Sequence, residues 1–294
     1  MANAEIEMIR AFLAAMPADR DIAAMRAGYD NIGSQFPCAA DVTLQAVDAD
    51  GVPAEWSWTP GAARDAVLLY LHGGGYVIGS IASHRHLASE LGRAAGISTL
   101  ALDYRMAPEH VFPAAVDDAL KGYRWLLAQG IAASRIAVAG DSAGGGLTVA
   151  LLLAIKAAGL PQPACAVAIS PWVDMAATGA TMDSKAAVDP MVQKPALIDW
   201  AQLYLGGADS ATPLASPVHG DLAGIAPLLI QVGSEETLLD DAIRLAAVAG
   251  HAQVPVRLDV APEMIHVWHF FHLMLAPART AIADAGAFMG GHLG

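Results

Sequence analysis

The sequence predicts an α/β fold with a mostly parallel sheet of eight strands, helices on both faces and a helical cap. Short apolar, β-branched segments alternate with helix-like stretches along most of the chain, which is typical of buried parallel strands covered by helices. Before them, the alternating segment 42–58 predicts an antiparallel hairpin that turns at Asp50-Gly51. The 294 residues, 55% of them hydrophobic, suffice for one large core with a small accessory element.

Each element is predicted from its own apolar spacing. Helical spacing over 5–16 and 21–29, interrupted at Pro17, predicts two N-terminal helices that form a lid. After the hairpin, the predicted strands are 67–71, 97–102, 136–139, 164–169, 228–232 and 256–260. The predicted helices of this region are 84–95, 114–129, 147–158, 195–205, 239–249 and 278–289. No internal repeat interrupts this order.

The predicted cap has two parts. Residues 1–40 carry the N-terminal helices, and 41–294 form the core, which contains an Ala-rich, Pro-punctuated insertion at about 175–217. Such an insertion is expected over the carboxyl ends of the strands, where ligands bind in sheets of this kind. Apolar residues of both parts either wall a ligand pocket or belong to the core: Met8, Phe12, Met16, Met25, Met182, Met191 and Trp200.

A serine on a sharp strand-to-helix turn is the strongest functional signal. Segment 136–139 runs into Gly-Asp-Ser-Ala-Gly at 140–144, where flanking glycines let neighbouring backbone pass close while Ser142 projects its hydroxyl. Unpaired N–H groups at the start of the next helix favour negative charge beside it. The pattern predicts a nucleophile for acyl transfer, with Asp141 orienting backbone; a simple glycine-rich turn is the alternative.

A glycine-rich loop upstream supports the nucleophile. Residues 72–76, His-Gly-Gly-Gly-Tyr, follow a predicted buried strand, as does the loop that supplies oxyanion donors in lipases and esterases. Without Cβ atoms, its peptide N–H groups can approach a carbonyl oxygen closely. A phosphate-cradling loop is the alternative, but no Lys-Ser/Thr pair follows. We predict Gly74, Gly75 and Ala143 as the oxyanion donors.

The serine needs a base to take its proton and an acid to orient that base. In this arrangement the acid follows a late strand and the histidine follows the last one. Of ten histidines, only His266 lies shortly after the last predicted strand and before a helix, so it is the predicted base. A metal face formed with His269 and His272 is the alternative, although no second ligand cluster accompanies it. The candidate acids are Glu235, Glu236, Asp240 and Asp241.

Four motifs together resemble the hormone-sensitive-lipase-like family of bacterial carboxylesterases. They are 72–76, 103–110 (Asp-Tyr-Arg-Met-Ala-Pro-Glu-His), 140–145 and 170–174 (Ser-Pro-Trp-Val-Asp). The resemblance spans about residues 68–268. It implies an α/β-hydrolase with a helical cap that hydrolyses short-chain carboxylic esters without a metal or organic cofactor, and it is compatible with a homodimer.

The resemblance also selects one of the acids. Family members usually carry an Asp followed by x-Leu-x-Asp, and aligning Leu238 and Asp240 with that pattern places Glu236 at the acid position. The change from Asp to Glu departs from the family, but the arrangement accepts either acid. Glu235 remains the alternative, whereas Asp240 and Asp241 fit the first turn of the next helix, where acids complement the helix dipole.

Charge and composition narrow the partners. A net charge of −13 without a basic stripe argues against nucleic acid and anionic membrane. Acids stand near the N-terminus where a signal peptide needs cations, and no apolar run is long enough for a membrane span, so we expect a cytoplasmic protein. Cys38 and Cys165 fit neither a disulfide framework nor a metal site. The expected partner is a small ester, with no metal.

The predicted function is therefore that of a carboxylesterase using a triad of Ser142, His266 and Glu236 and an acyl-enzyme intermediate. An amidase or deacetylase is the first alternative, because ester and amide hydrolysis differ in leaving group rather than in the residue types required. A non-catalytic small-molecule receptor is the second. Receptors that resemble this family have lost the catalytic histidine, whereas His266 is retained here.

Overall fold

The strands of the protein form one mixed sheet. The structure is a computed structural model that describes residues 4–15 and 21–294. Its eight strands are β1 (Thr43–Asp48), β2 (Pro53–Trp58), β3 (Ala63–Leu71), β4 (Ile97–Leu102), β5 (Ile136–Asp141), β6 (Cys165–Ile169), β7 (Leu228–Gly233) and β8 (Val256–Ala261). In space they follow the order β1-β2-β4-β3-β5-β6-β7-β8. β2 pairs antiparallel with β1 and β4, and the other neighbouring pairs are parallel. The predicted hairpin and mostly parallel sheet are confirmed.

Nine α-helices accompany the sheet in the described ranges. They are α1 (Ala4–Ala14), α2 (Ile22–Ser34), α3 (Ile81–Ala95), α4 (Ala114–Ala128), α5 (Ala143–Ala157), α6 (Thr181–Ser184), α7 (Lys194–Leu205), α8 (Leu239–His251) and α9 (Ala276–His292). The expected helix end at Met16 and the break at Pro17 lie outside the described residues. Among the helices that are described, none has the length and apolar character needed to cross a bilayer.

Two helices begin about a full turn earlier than apolar spacing predicts. The first, α3, begins at Ile81 because Ser80 and Ser83 form a capping box, in which each side chain bonds the other residue's backbone N–H. The second, α5, begins at Ala143 although three glycines follow, a residue type that disfavours helix interiors. The reason is close packing: a Cβ on Gly144 would lie 2.0 Å from the carbonyl oxygen of Leu71 in β3.

Apolar layers cover both faces of the sheet. Alternate side chains of β3 enter opposite layers, with Leu69 and Leu71 on one face and Leu68 and Tyr70 on the other. The first layer includes side chains of α4, α5 and α8, and the second includes side chains of α3 and α9. With both faces buried, the parallel strands have fully buried stretches, which explains their continuous apolar sequence.

Two glycines of α2 provide a test of how the N-terminal segment packs. A Cβ on Gly33 would lie 2.4 Å from the Cα atom of Ser83 in α3, whereas a Cβ on Gly28 would have no neighbour within 4 Å. We therefore expect Gly33→Ala to lower the free energy of unfolding by about 1–3 kcal/mol, because backbone must shift. Gly28→Ala should raise it by up to about 1 kcal/mol, since alanine is the better helix former. Urea unfolding of the two variants checks both signs, and equal effects would contradict this packing.

Candidate active site

The turn between β5 and α5 holds Ser142 in a strained backbone conformation. Its φ is 54° and its ψ is −119°, a region that residues with a side chain rarely adopt. The turn is held by the Ser142 N–H, which donates to the Ile169 carbonyl at 2.8 Å, and by the Ser142 carbonyl, which accepts from Gly146 and Trp172. A Cβ on Gly140 would lie 2.3 Å from the Gly144 carbonyl oxygen, so the flanking glycines are required here.

The structure brings the predicted serine, histidine and glutamate into one line of hydrogen bonds. His266 Nε2 lies 2.9 Å from Ser142 Oγ, and His266 Nδ1 lies 2.9 Å from Glu236 Oε2. Glu236 follows β7 and His266 follows β8, so the three side chains meet beyond the carboxyl ends of parallel strands. Glu236 is completely buried and His266 is 4% exposed. Water therefore competes little for these two groups.

Ser170 connects the carboxylate to the loop that carries His266, a role that its place in a motif did not by itself predict. The Ser170 hydroxyl donates to Glu236 Oε1 at 2.8 Å and accepts the Val267 N–H at 3.1 Å. The Gly233 N–H also donates to Glu236 Oε1, at 2.5 Å. Val267 has a φ of 48°, which is unusual for a β-branched residue. Ser170 thus helps to hold the backbone next to His266 in this conformation.

The other candidate acids have different partners. Glu235 pairs with Arg10 of α1, away from the imidazole. Asp240 and Asp241 lie in the first turn of α8, as expected. There Asp240 accepts the backbone N–H of Thr181, and Asp241 accepts those of residues 173 and 174. Of the four acids, Glu236 is therefore the one that the structure places against His266.

Burial and charge act in opposite directions on the imidazole. Burial lowers the pKa of His266, but the hydrogen bond to Glu236 and the negative charges of Glu236, Asp189 and Asp141 together raise it by more. The net pKa lies above the ordinary value for histidine. A carboxylate beside Nδ1 therefore favours the protonated imidazole, which is the form a base takes after it accepts a proton.

The three predicted amide donors lie close to the serine, two in the cavity lining and one at the start of α5. Gly74 and Gly75 line the cavity that contains Ser142 and His266, and their φ values are 116° and 61°. Ala143 is the buried first residue of α5, directly after the serine, and is not part of the cavity lining. None of the three N–H groups donates to an acceptor in the described chain. They are thus free to bind an oxygen of a ligand.

A buried acid next to the serine holds the glycine-rich loop. Asp141 Oδ1 accepts the Gly73 N–H at 3.1 Å and the Tyr70 hydroxyl at 2.5 Å, while Oδ2 lies 3.3 Å from His84 Nε2. Burial raises the pKa of Asp141, but the imidazole of His84 and the hydrogen bond from Tyr70 outweigh burial and leave the pKa below the ordinary value. Asp141 orients backbone as predicted, whereas sequence reasoning missed Tyr70 and His84.

The cavity at the serine has a volume of about 220 Å³. The described residues that line it come from α2, the glycine-rich loop, the serine turn, the segment after β6, the segment before α7, α7 itself and the loop after β8. They are Tyr29, Gly74, Gly75, Ile78, Ser142, Trp172, Met191, Val192, Gln193, Ala196, Leu197, Trp200, His266 and Val267. The side chains from α7 recur at helical spacing, so one helix face forms a wall. Trp200 lies against Gly75, where a Cβ would meet the indole ring at 1.8 Å.

Only some of the residues that the sequence offered as pocket walls line the cavity. Met191 and Trp200 line the cavity, whereas Met182 belongs to the core and Met8 is 56% exposed. Met25 is half-buried and is not among the lining residues. Phe12 lines a neighbouring cavity, and Met16 lies outside the described residues. Apolar character alone could not separate these positions, because core and pocket both select it.

His269 and His272, the other members of the alternative metal face, contact neighbouring side chains. His269 Nε2 lies 3.0 Å from Gln231 Oε1, and the ring of His272 stacks on His86 at a centroid distance of 5.6 Å. Over the described ranges, no group of three His, Cys, Asp or Glu side chains is placed to hold a metal ion. The geometry does not support the alternative of a metal face.

Comparison with known proteins agrees with the geometry. The family model for the alpha/beta hydrolase fold matches residues 68–270. An acetyl-hydrolase of Streptomyces hygroscopicus is 47% identical over 291 residues, covering 98% of this chain and 97% of the relative. An ethyl acetate hydrolase of Pseudomonas putida is 35% identical, covering 78% and 75%. The crystal structure of an esterase from the bacterial hormone-sensitive lipase family is similar over 100% of both chains, with a TM-score of 0.97 and 46% identity.

Fold and relatives together define an α/β hydrolase of the serine ester hydrolase class. The match of the family model covers more than half of the chain, and the similarity to the bacterial esterase structure extends over its whole length. The chain belongs to the hormone-sensitive-lipase-like family.

Removing the Ser170 hydroxyl tests whether it positions the histidine loop. Ser170→Ala leaves the buried Val267 N–H without its partner and takes one hydrogen bond from Glu236. We expect kcat for an ester to fall roughly tenfold and the free energy of unfolding to fall by about 1–3 kcal/mol. Ser234→Ala is the matched control, because Ser234 also accepts a loop N–H, that of Glu263, but does not contact the imidazole. Equal kcat values for both variants would refute the assignment.

Proposed function

We propose that the protein hydrolyses short-chain carboxylic esters through Ser142, His266 and Glu236, with an acyl-enzyme intermediate. The observation that carries the proposal is the pair of 2.9 Å contacts that joins the three side chains. A serine hydroxyl is a weak nucleophile at neutral pH unless a base takes its proton, and His266 Nε2 is within reach of that proton. Strained backbone at Ser142 presents the oxygen to the cavity.

Each step uses groups already in contact. Ser142 Oγ attacks the ester carbonyl while its proton passes to His266 Nε2, and Glu236 stabilises the resulting imidazolium through Nδ1. His266 then protonates the departing alcohol, leaving the acyl group on the serine. Next, His266 takes a proton from water, which attacks the acyl carbonyl, and returns that proton to Ser142 Oγ as the bond to the acyl group breaks and the carboxylic acid leaves. The protein returns to its starting state, and the cycle uses no metal or organic cofactor.

Negative charge on the carbonyl oxygen would be stabilised by the N–H groups of Gly74, Gly75 and Ala143. These groups have no acceptor within the described chain, so they need not break an existing bond to bind the oxygen. Donors that are already oriented lower the energy of the tetrahedral intermediate without reorganisation. The loss of one such donor costs about a hundred- to a thousandfold in turnover in serine hydrolases.

Short acyl chains, acetyl included, are the proposed substrates. The cavity of about 220 Å³ has to hold both sides of the scissile bond, and Trp200 and Leu197 close it on the side of α7. The names of two relatives, an acetyl-hydrolase and an ethyl acetate hydrolase, support the same class. The lining is mainly apolar and contains few charged groups, which suits neutral esters.

Rates against acyl length, combined with substitutions of the triad, test the proposal. For p-nitrophenyl esters from acetyl to dodecanoyl, we expect kcat/KM to be greatest at two to four carbons. Ser142→Ala should lower kcat about a millionfold. Glu236→Gln should lower it roughly a thousandfold or more, because the imidazolium loses its counter-charge. Glu235→Gln is the matched control and should change it less than about threefold, since Glu235 forms only a partly exposed ion pair with Arg10.

Activity that survives Ser142→Ala, or that is lost with Glu235→Gln alone, would overturn the assignment of the triad. A flat profile over acyl length would overturn the short-chain preference. Matched p-nitrophenyl and p-nitroanilide substrates separate esterase from amidase activity, and we expect turnover of the ester only.

The pH dependence tests the coupling between His266 and Glu236. The imidazole must be neutral to accept the serine proton, so kcat/KM should rise with pH and level off above the pKa of His266. Because Glu236 raises that pKa, the midpoint should lie above the ordinary histidine value. In Glu236→Gln the charge is lost while burial, which lowers the pKa, remains, so the midpoint should shift to lower pH. An unchanged midpoint in this variant would contradict the coupling.

A further inference from the structure

A second, smaller cavity lies beside the catalytic one. Its volume is about 30 Å³, roughly the space of one water-sized group, so a longer chain also needs the space that a wall side chain now takes up. The described residues that line it are Phe12, Leu13, Tyr29, Ile32, Met191, Val267, Phe270 and Phe271. Tyr29, Met191 and Val267 also line the catalytic cavity, so these side chains form a common wall between the two spaces.

The side chains that line the second cavity favour an apolar ligand. Apart from Tyr29, every side chain that lines it in the described chain is a hydrocarbon or a thioether. A water there would lack the two to four polar partners that buried water needs, and apolar cavities of this kind bind hydrocarbon groups. Filling it with methylene groups removes them from water and restores contacts to atoms that face a void.

Met191 is the movable part of the common wall. Met191 is 37% exposed, whereas Val267 is buried and its N–H donates to the Ser170 hydroxyl. Methionine is unbranched and adopts alternative rotamers at low cost. Rotation of Met191 towards solvent would therefore join the two cavities without a change in the fold.

The backbone under Met191 does not need to move with the side chain. The buried carboxylate of Asp189 accepts the N–H groups of Met191 and Val192, each at 2.9 Å, through one oxygen. Its other oxygen accepts the N–H of Thr237, the residue after Glu236, at 2.8 Å. Because the segment is tied to the loop that carries Glu236, substitution of the exposed side chain should leave the geometry of the triad intact.

We propose that the second cavity is a subsite for the alkyl chain of the ester substrate, and that Met191 sets the length of chain that the enzyme accepts. This inference rests on the proposed ester hydrolysis and specifies its upper size limit. In the wild type the wall keeps the two spaces apart, which favours short chains. With the wall open, a longer chain continues past Tyr29 towards Phe270 and Phe271.

The test compares wild type, Met191→Ala and Val188→Ala on two substrate series. One series varies the acyl group of p-nitrophenyl esters, and the other varies the alcohol of alkyl acetates, each from two to ten carbons. Val188 is the matched control, because it is an exposed apolar residue of the same segment, 39% accessible, that lines neither cavity. Each methylene newly buried should raise kcat/KM about fourfold.

We expect Met191→Ala to raise the ratio of kcat/KM for eight carbons to that for four carbons by roughly tenfold or more in one series. The series that responds shows whether the subsite takes the acyl chain or the alcohol. Val188→Ala should change the ratio less than about twofold. A gain in neither series, or an equal gain in Val188→Ala, would overturn the proposal.

A second experiment fills the second cavity with a larger side chain. Ile32→Phe, or Leu13→Phe if the first variant is unstable in thermal unfolding, places a larger side chain in the second cavity of Met191→Ala. The gain for long chains should then disappear, so that the ratio of kcat/KM for eight carbons to that for four carbons returns to the wild-type value. A gain that persists would show that the longer chain lies elsewhere. Absence of ester hydrolysis in every variant, wild type included, would instead overturn the proposed function, and the subsite with it.

Discussion

The close approach of α5 to the end of β3 is the constraint on which the rest of the site depends. Gly144 is so near the Leu71 carbonyl that no side chain fits between them, and the same approach brings the start of α5 directly under the glycine-rich loop. Ser142 has to make the turn in a single residue, which explains its positive φ. The strain is offset by the packing of a helix whose described side chains are almost entirely buried. Stability of the core therefore maintains the position of one hydroxyl in the lining of the cavity.

Two buried carboxylates connect the loops at the ends of the strands. Asp141 links the serine turn to the glycine-rich loop, and Glu236 links the end of β7 to Ser170 and His266. Each accepts several hydrogen bonds in an environment of low dielectric, where such bonds are strong and a lost partner is costly. A shift in one loop would leave a buried charge poorly satisfied, so the loops have little freedom to move independently. This arrangement pre-orients the amide donors and the imidazole before any ligand arrives.

Much of this could be predicted from the sequence, because strands, turns and helix starts are encoded locally. The positions of Ser142 and His266 follow from their places after predicted strands, and the resemblance to a family then chose Glu236 over Glu235. Ser170, Tyr70 and His84 could not be found in this way. Their partners are distant in sequence, such as Glu236 for Ser170, and their residue types are common in ordinary cores and turns. Such contacts depend on the register of neighbouring strands, which local patterns do not specify.

For a related reason, the sequence could not show which apolar residues line the pocket and which belong to the core. Met182 and Met191 are nine positions apart between β6 and α7, yet one is buried in the core and the other borders the cavity. At Met191, the buried carboxylate of Asp189 ties the backbone to the loop that carries Glu236. Arg10 of α1 makes a second tie to that loop through Glu235, and also bonds the carbonyl of Val188. The wall of the pocket and the orientation of the acid thus share one backbone framework, so side chains that face the cavity can vary in size while the framework keeps Glu236 beside His266.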